Sequence, residues 1–276
     1  SSVTAAAAGI YYVTVINANS CVDSDSVTVV VNNLPVATAG SNSPVCENNA
    51  LNLTSGGGVS YSWTGPNGFT SSLQNPNIAS APLASSGLYT VTVTDVNGCA
   101  AAATTAVTIN ALPSATAGNN GPVCENTALN FTSGGGVSYS WTGPNGFTSA
   151  FQNPGIASAT LAASGLYAVT VTDVNGCTGA ATTVAAVNAL PVANAGSNSP
   201  VCENSALNLT SGGGTSYSWT GPNVFTSLLQ NPNIASAPLA ASGNYTVTIT
   251  DGNGCIAAAT TAVTINALPS ATAGNN

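Results

Sequence analysis

Leu83-Ala84-Ser85-Ser86-Gly87-Leu88-Tyr89-Thr90-Val91-Thr92-Val93-Thr94 is the stretch that decides the fold. From Gly87 onward apolar and polar residues alternate. Tyr89, Val91 and Val93 therefore share one face of an extended strand, and Thr90, Thr92 and Thr94 the other. β-Branched and aromatic side chains suit such a pleated, half-buried surface. The same alternation precedes it in Leu51-Asn52-Leu53-Thr54 and Tyr61-Ser62-Trp63, and follows it in Thr105, Val107 and Ile109. Between these runs lie Gly56-Gly57-Gly58, Gly65-Pro66-Asn67-Gly68 and Asn97-Gly98, all turn formers. No stretch carries a helical period. Short strands spaced in this way predict a small antiparallel β-sandwich.

The pattern repeats. Leu-Pro-x-Ala-x-Ala-Gly places its proline at Pro35, Pro113, Pro191 and Pro269, each 78 residues after the last. The cysteines keep the same period, as Cys21, Cys99, Cys177 and Cys255, and as Cys46, Cys124 and Cys202. Full repeats are thus expected at 35–112, 113–190 and 191–268. Residues 1–34 match the last part of a repeat, since Gly9, Tyr11 and Cys21 fall on Gly87, Tyr89 and Cys99. Residues 269–276 begin another, and the natural protein is expected to be longer. The linker Ile109-Asn110-Ala111-Leu112-Pro113-Ser114 is short and holds a proline, which favours extended backbone before it. An extended, semi-rigid array of separately folded sandwiches follows as an expectation.

Composition narrows the function classes. The 276 residues include no Lys, Arg, His or Met and only eight carboxylates. Without cations the chain cannot neutralise phosphates, which argues against nucleic acid as a partner. The same lack removes charge-driven binding to anionic membranes, and no apolar run is long enough to span one. Trypsin has no site. Catalysis needs a group that changes protonation or attacks. With no His or Lys, and cysteines assigned to disulfides, no enzyme and no cofactor are expected.

A small domain buries little core and gains from a staple, and two cysteines per repeat suit an oxidising, extracellular setting. One pairing lies within repeats: Cys46–Cys99, Cys124–Cys177 and Cys202–Cys255, with the partner of Cys21 outside this stretch. The other joins neighbours: Cys21–Cys46, Cys99–Cys124 and Cys177–Cys202. Cys99 opens the final strand, and about ten extended residues carry the chain roughly 30 Å before the next repeat. Bridged Cα atoms lie within about 7 Å, so the expectation is the pairing within repeats.

Gly87-Leu88-Tyr89 resembles the approach to the sixth strand of immunoglobulin-like domains, where such a tyrosine forms a corner and a tryptophan fills the core. That resemblance implies core roles for Trp63, Trp141 and Trp219 and for Tyr89, Tyr167 and Tyr245. Val91 and Leu53 stand where the usual inter-sheet disulfide would lie, so the antibody type is not matched. More narrowly, four motifs together resemble the Ig-like and PKD-like repeats of giant Bacteroidetes surface adhesins. They are Pro-Val-Cys-Glu-Asn, Tyr-Ser-Trp-Thr-Gly-Pro-Asn-Gly, Tyr-Thr-Val-Thr-Val-Thr-Asp and Asn-Gly-Cys. Many proteins of that group are gliding or attachment proteins exported by type IX secretion. The resemblance implies an all-β tandem array of small Ig-like sandwiches serving as a structural stalk at the cell surface. Neighbouring repeats would be its main partners. Surface glycans, or identical chains in a filament, form the alternative.

Two further site readings stand beside that expectation. Glu47 and Asp95 both flank the expected disulfide, repeated as Glu125/Asp173 and Glu203/Asp251, and a calcium ion could sit between them. Two carboxylates supply little charge for calcium, and Asp95-Val96-Asn97-Gly98 reads equally as a turn in which Asp bonds its own backbone. Trp63 could stack on sugar, but its shared face with Tyr61 favours core packing. Phe69, on its Gly-Pro-Asn-Gly loop, is the better exposed contact. Asn52-Leu53-Thr54, Asn130-Phe131-Thr132 and Asn208-Leu209-Thr210 match N-glycosylation acceptors, and Asp25-Ser26-Val27 a short O-glycan acceptor.

Overall fold

The computed structural model describes residues 5–273, and apart from short 3-10 turns such as Leu83–Ser85 every element in them is a strand. In the repeat 35–112 the strands are β1 Thr38–Ser41, β2 Val45–Cys46, β3 Leu51–Gly56, β4 Ser60–Thr64, β5 Thr70–Ser71, β6 Asn77–Ile78, β7 Gly87–Thr94, β8 Ala100–Val107 and β9 Ile109–Asn110. β1, β3 and β6 form one antiparallel sheet, and β8, β7, β4 and β5, in that order, form the other. β2 leaves the first sheet's path and pairs in parallel with β9. The two later repeats have the same three sheets. This is the immunoglobulin-like sandwich, in tandem.

The alternation seen in the sequence becomes two faces. Along β7, Tyr89, Val91 and Val93 are fully buried, while Leu88 and Thr92 are exposed. Register sets Trp63 of β4 opposite Val91 and Tyr61 opposite Val93, so the aromatics of β4 pack against the aliphatic face of β7. Leu51 and Leu53 of β3 close the core from the other sheet. Burying an indole leaves its N–H in need of a partner. Trp63 Nε1 donates to the Gln74 carbonyl at 3.3 Å, and Gln74 Nε2 in turn donates to the Ser55 carbonyl at 2.8 Å. A glutamine after β5 thereby clips the loop onto β3.

Tyr89 makes the corner. Its hydroxyl donates to the Ser85 carbonyl four residues back at 3.0 Å, repeated from Tyr167 to Ala163 and from Tyr245 to Ala241. Gly65 lies against that ring, where a Cβ would come within 2.4 Å of the Tyr89 ring carbon Cδ1. Burial raises the pKa of all three tyrosines above the free value. A phenol that ionises later folded than unfolded makes the unfolded state the first to lose its proton. Its contribution is therefore intact below about pH 10 and lost as pH rises further. A series of denaturant midpoints should hold level up to about pH 10 and then fall. A rise in that range would contradict the burial assignment.

The β4–β5 turn shows where one repeat departs from the others. Asn67 and Gly68 both have positive φ, as do Asn145 and Gly146, a conformation glycine adopts without strain. In the third repeat valine takes the glycine's place, and Val224 has φ 58°. A β-branched residue held there costs about 1–2 kcal/mol. Val224 is 94% exposed and packs on nothing that would offset this. Val224→Gly should stabilise the repeat 191–268 by about 1 kcal/mol in urea titration. An unchanged or lower midpoint would show that the strain is absent.

Close packing divides the chain into two units. The first holds the chain up to Pro113 together with Thr172–Thr178, and the second holds Ser114–Val171 and the chain from Gly179 on. The first unit also contains a hairpin, Gly9–Ile16 with Val22–Val29, paired from Gly9↔Val29 to Ile16↔Val22. It copies β7–β8 78 residues earlier, down to the Tyr11 hydroxyl donating to the Ala7 carbonyl at 2.9 Å. Tyr11, Val13 and Val15, the counterparts of core residues, are exposed.

Candidate functional site

The cysteines recur in every repeat, and their pairing differs from the expectation. The bonds are Cys46–Cys177 and Cys124–Cys255, each with Cα atoms 5.5 Å apart and partners 131 positions apart in the sequence. None of Cys46–Cys99, Cys124–Cys177 or Cys202–Cys255 forms, and Cys21, Cys99 and Cys202 are free thiols. The reason is strand length. Cys46 on β2 stands opposite Asn110 on β9. Asn110 lies 11 residues past Cys99 along nearly continuous extended chain, about 35 Å away. A bond bridges about 7 Å at most. The two cysteines of one repeat therefore sit at opposite ends of it. The first cysteine of a repeat bonds instead the second cysteine of the following repeat.

Turns hold both half-cystines in place. Asn49 N–H donates to the Cys46 carbonyl at 3.0 Å, and Glu47 N–H reaches the Asn110 carbonyl at 2.8 Å, which ties the first cysteine to β9. On the other side, the Asp173 carboxylate accepts from Asn175 N–H at 2.8 Å and from Cys177 N–H at 2.9 Å. Gly176 supplies the positive φ that closes this turn. The second cysteine of each bond is buried, Cys177 and Cys255 being at most 1% exposed, while Cys46, Cys124 and unbonded Cys99 are half-buried and Cys202 is exposed. The three free thiols fit the same register. No residue of the sequence lies 131 positions before Cys21 or Cys99, or 131 after Cys202.

The calcium reading loses its basis with the pairing that motivated it. Cys46 bonds the turn of Asp173, so no disulfide draws Glu47 to Asp95. The carboxylates of Asp95, Asp173 and Asp251 are each engaged by two N–H groups of their own turns. Among the described residues no three His, Cys, Asp or Glu side chains converge. Glu47, Glu125 and Glu203 remain beside the first cysteines of their repeats. Chelator, or millimolar calcium, should move the melting temperature by less than about 2 °C. A rise of many degrees on adding calcium would restore a metal site by mass action.

The aromatic candidates are placed as follows. Trp63, Trp141 and Trp219 are at most 1% exposed and offer no face to a sugar. Phe69 is not the free contact expected of it. The positive-φ turn folds its ring back edge-on against Tyr89, with centroids 5.4 Å apart, and Phe147 and Phe225 do the same to Tyr167 and Tyr245. Phe151, at 78% exposed, is the phenylalanine that does face solvent, and nothing in its local sequence marks it. Asn52 and Asn208 point outward from their strands and accept cross-strand bonds from Asn77 and Asn233 at 2.6 Å. Ser26 is exposed on the first hairpin, beside Asp25.

No family model matches the chain, and no curated protein matches it. Among solved structures, three N-terminal domains of the bacteriophage RB49 highly immunogenic outer capsid protein align at 12% identity and a TM-score of 0.37. That alignment covers 86% of this chain and 99% of the other. A structure described for host cell surface retention of a 1.5-MDa bacterial ice-binding adhesin aligns at 17% identity and a TM-score of 0.36, over 86% of this chain and all of the other. Immunoglobulin domains 1–5 of Sidekick-1 align at 15% identity and a TM-score of 0.29, covering 96% of this chain and 68% of theirs. These neighbours are arrays of domains that include a bacterial adhesin.

Proposed function

We propose that the chain is a non-enzymatic structural segment of a large extracellular adhesin, a stalk that carries a binding region away from the surface to which it is attached. The bonding of each repeat to the next is the observation that supports this reading best. A segment that transmits load along its length gains from a covalent tie between neighbouring repeats. The disulfides also favour an oxidising, extracellular location. Among the described residues no helix is long and apolar enough to cross a membrane. The motif resemblance to Bacteroidetes surface repeats, with export by the type IX route, is the finer form of the same proposal.

Lateral assembly of identical chains is the second reading, favoured by the edge strand β8. It is eight residues long, reads Ala-Ala-Ala-Ala-Thr-Thr-Ala-Val, and carries no charge to discourage pairing. Small-angle scattering over a concentration series separates the two. The stalk requires an elongated particle of constant cross-section, and a cross-section that grows with concentration would replace it with the filament. A compact globular particle would remove both. Saturable binding in a glycan array by the isolated chain would favour repeats that act as binding modules.

A further inference from the structure

We infer that the two disulfides interlock the repeats so that a break in either linker does not sever the array. Along the chain the half-cystines come in the order Cys46, Cys124, Cys177, Cys255, so the two bonds overlap instead of lying side by side. A cut between Cys46 and Cys124 is bridged by Cys46–Cys177, and one between Cys177 and Cys255 by Cys124–Cys255. A cut between Cys124 and Cys177 is bridged by both. Every peptide bond from Cys46 to Cys255 has a covalent detour, and the middle repeat is held to both of its neighbours.

The linkers are where this matters. Ala111-Leu112 and Ala189-Leu190 lie in irregular backbone between the last strand of one repeat and the first of the next, with Ala111 and Ala189 exposed. Exposed irregular chain is the part a protease reaches first, whereas strand interiors are protected by their ladders. Disulfides confined to single repeats would staple the parts that need it least and leave both linkers as single points of failure. The overlapping register covers them. This property depends only on which cysteines pair and holds whether or not the array serves as a stalk, so its test is independent of that reading.

The absence of Lys and Arg makes the test clean. Ala111→Lys, Ala189→Lys and Asn33→Lys each place a single trypsin site at the same point of the pattern, just before a Leu-Pro pair. The free thiols of Cys21, Cys99 and Cys202 are alkylated first, so that exchange cannot create links, and circular dichroism confirms that each variant keeps its sheet signal. After trypsin, the Ala111→Lys and Ala189→Lys proteins should remain one covalent species without reductant and separate into two fragments with it. Asn33→Lys, whose cut lies before Cys46, should release residues 1–33 under both conditions. Separation of either linker variant without reductant would overturn the inference, and retention of residues 1–33 would expose an unrecognised bond.

Discussion

Removing one bond, as Cys124→Ser with Cys255→Ser, should destabilise the repeats 113–190 and 191–268 by roughly 4–5 kcal/mol in total. The reason lies in the unfolded chain. A crosslink that closes a loop of 131 residues removes about 5 kcal/mol of conformational freedom from the denatured state in the chain-entropy model. Losing it returns that freedom, and the urea midpoint should fall by 2 M or so at slopes of about 2 kcal/mol/M. The change should also split the transition. With the bond, the unfolding of one repeat restricts the other; without it, each unfolds on its own. A midpoint unchanged within about 0.2 M would mean that the bond does not form in solution or that the unfolded chain is already as compact without it.

Trp141→Ala is the second large effect and should cost about 3–5 kcal/mol, confined to the repeat 113–190. Trp141 is 1% exposed and meets Phe131 at 5.5 Å between centroids, and its indole N–H satisfies the Gln152 carbonyl at 3.3 Å. Truncation opens a cavity too large for the surrounding strands to close and leaves that carbonyl without its donor. Each full repeat holds one tryptophan, so the fluorescence of Trp63 and Trp219 should report their own repeats almost unchanged while a separate early step appears in circular dichroism. A loss of stability spread evenly over all three repeats would show that they fold as one cooperative body.

These two sites mark what the sequence displays and what it conceals. Alternation along Gly87–Thr94 displays the buried face of β7, because period two is a local property and tertiary contacts have only to accept it. The tryptophans and corner tyrosines are legible for the same reason. The partners of Cys46 and Cys99 are not, because they depend on which end of the sandwich each cysteine occupies. That is fixed by β2, a strand of only two residues whose parallel pairing with β9 leaves no periodic trace. The span from Cys99 to Asn110 is measurable in the sequence, but it separates the two cysteines of a repeat only once β9 is known to lie beside Cys46. Phe69 is a similar case: a polar loop suggests exposure, but two positive-φ residues turn that loop inward. The pairing of Glu47 with Asp95 fell with the disulfide on which it rested.

The register of the bonds carries the whole account, and peptide mapping of the unreduced protein tests it most directly. Free thiols are alkylated at acid pH to prevent exchange, and pepsin, which needs no basic residue, makes the digest. Mass spectrometry should find the peptide of Cys46 joined to that of Cys177, the peptide of Cys124 joined to that of Cys255, and alkyl groups on Cys21, Cys99 and Cys202. A linked pair of Cys46 with Cys99, or of Cys99 with Cys124, would contradict it.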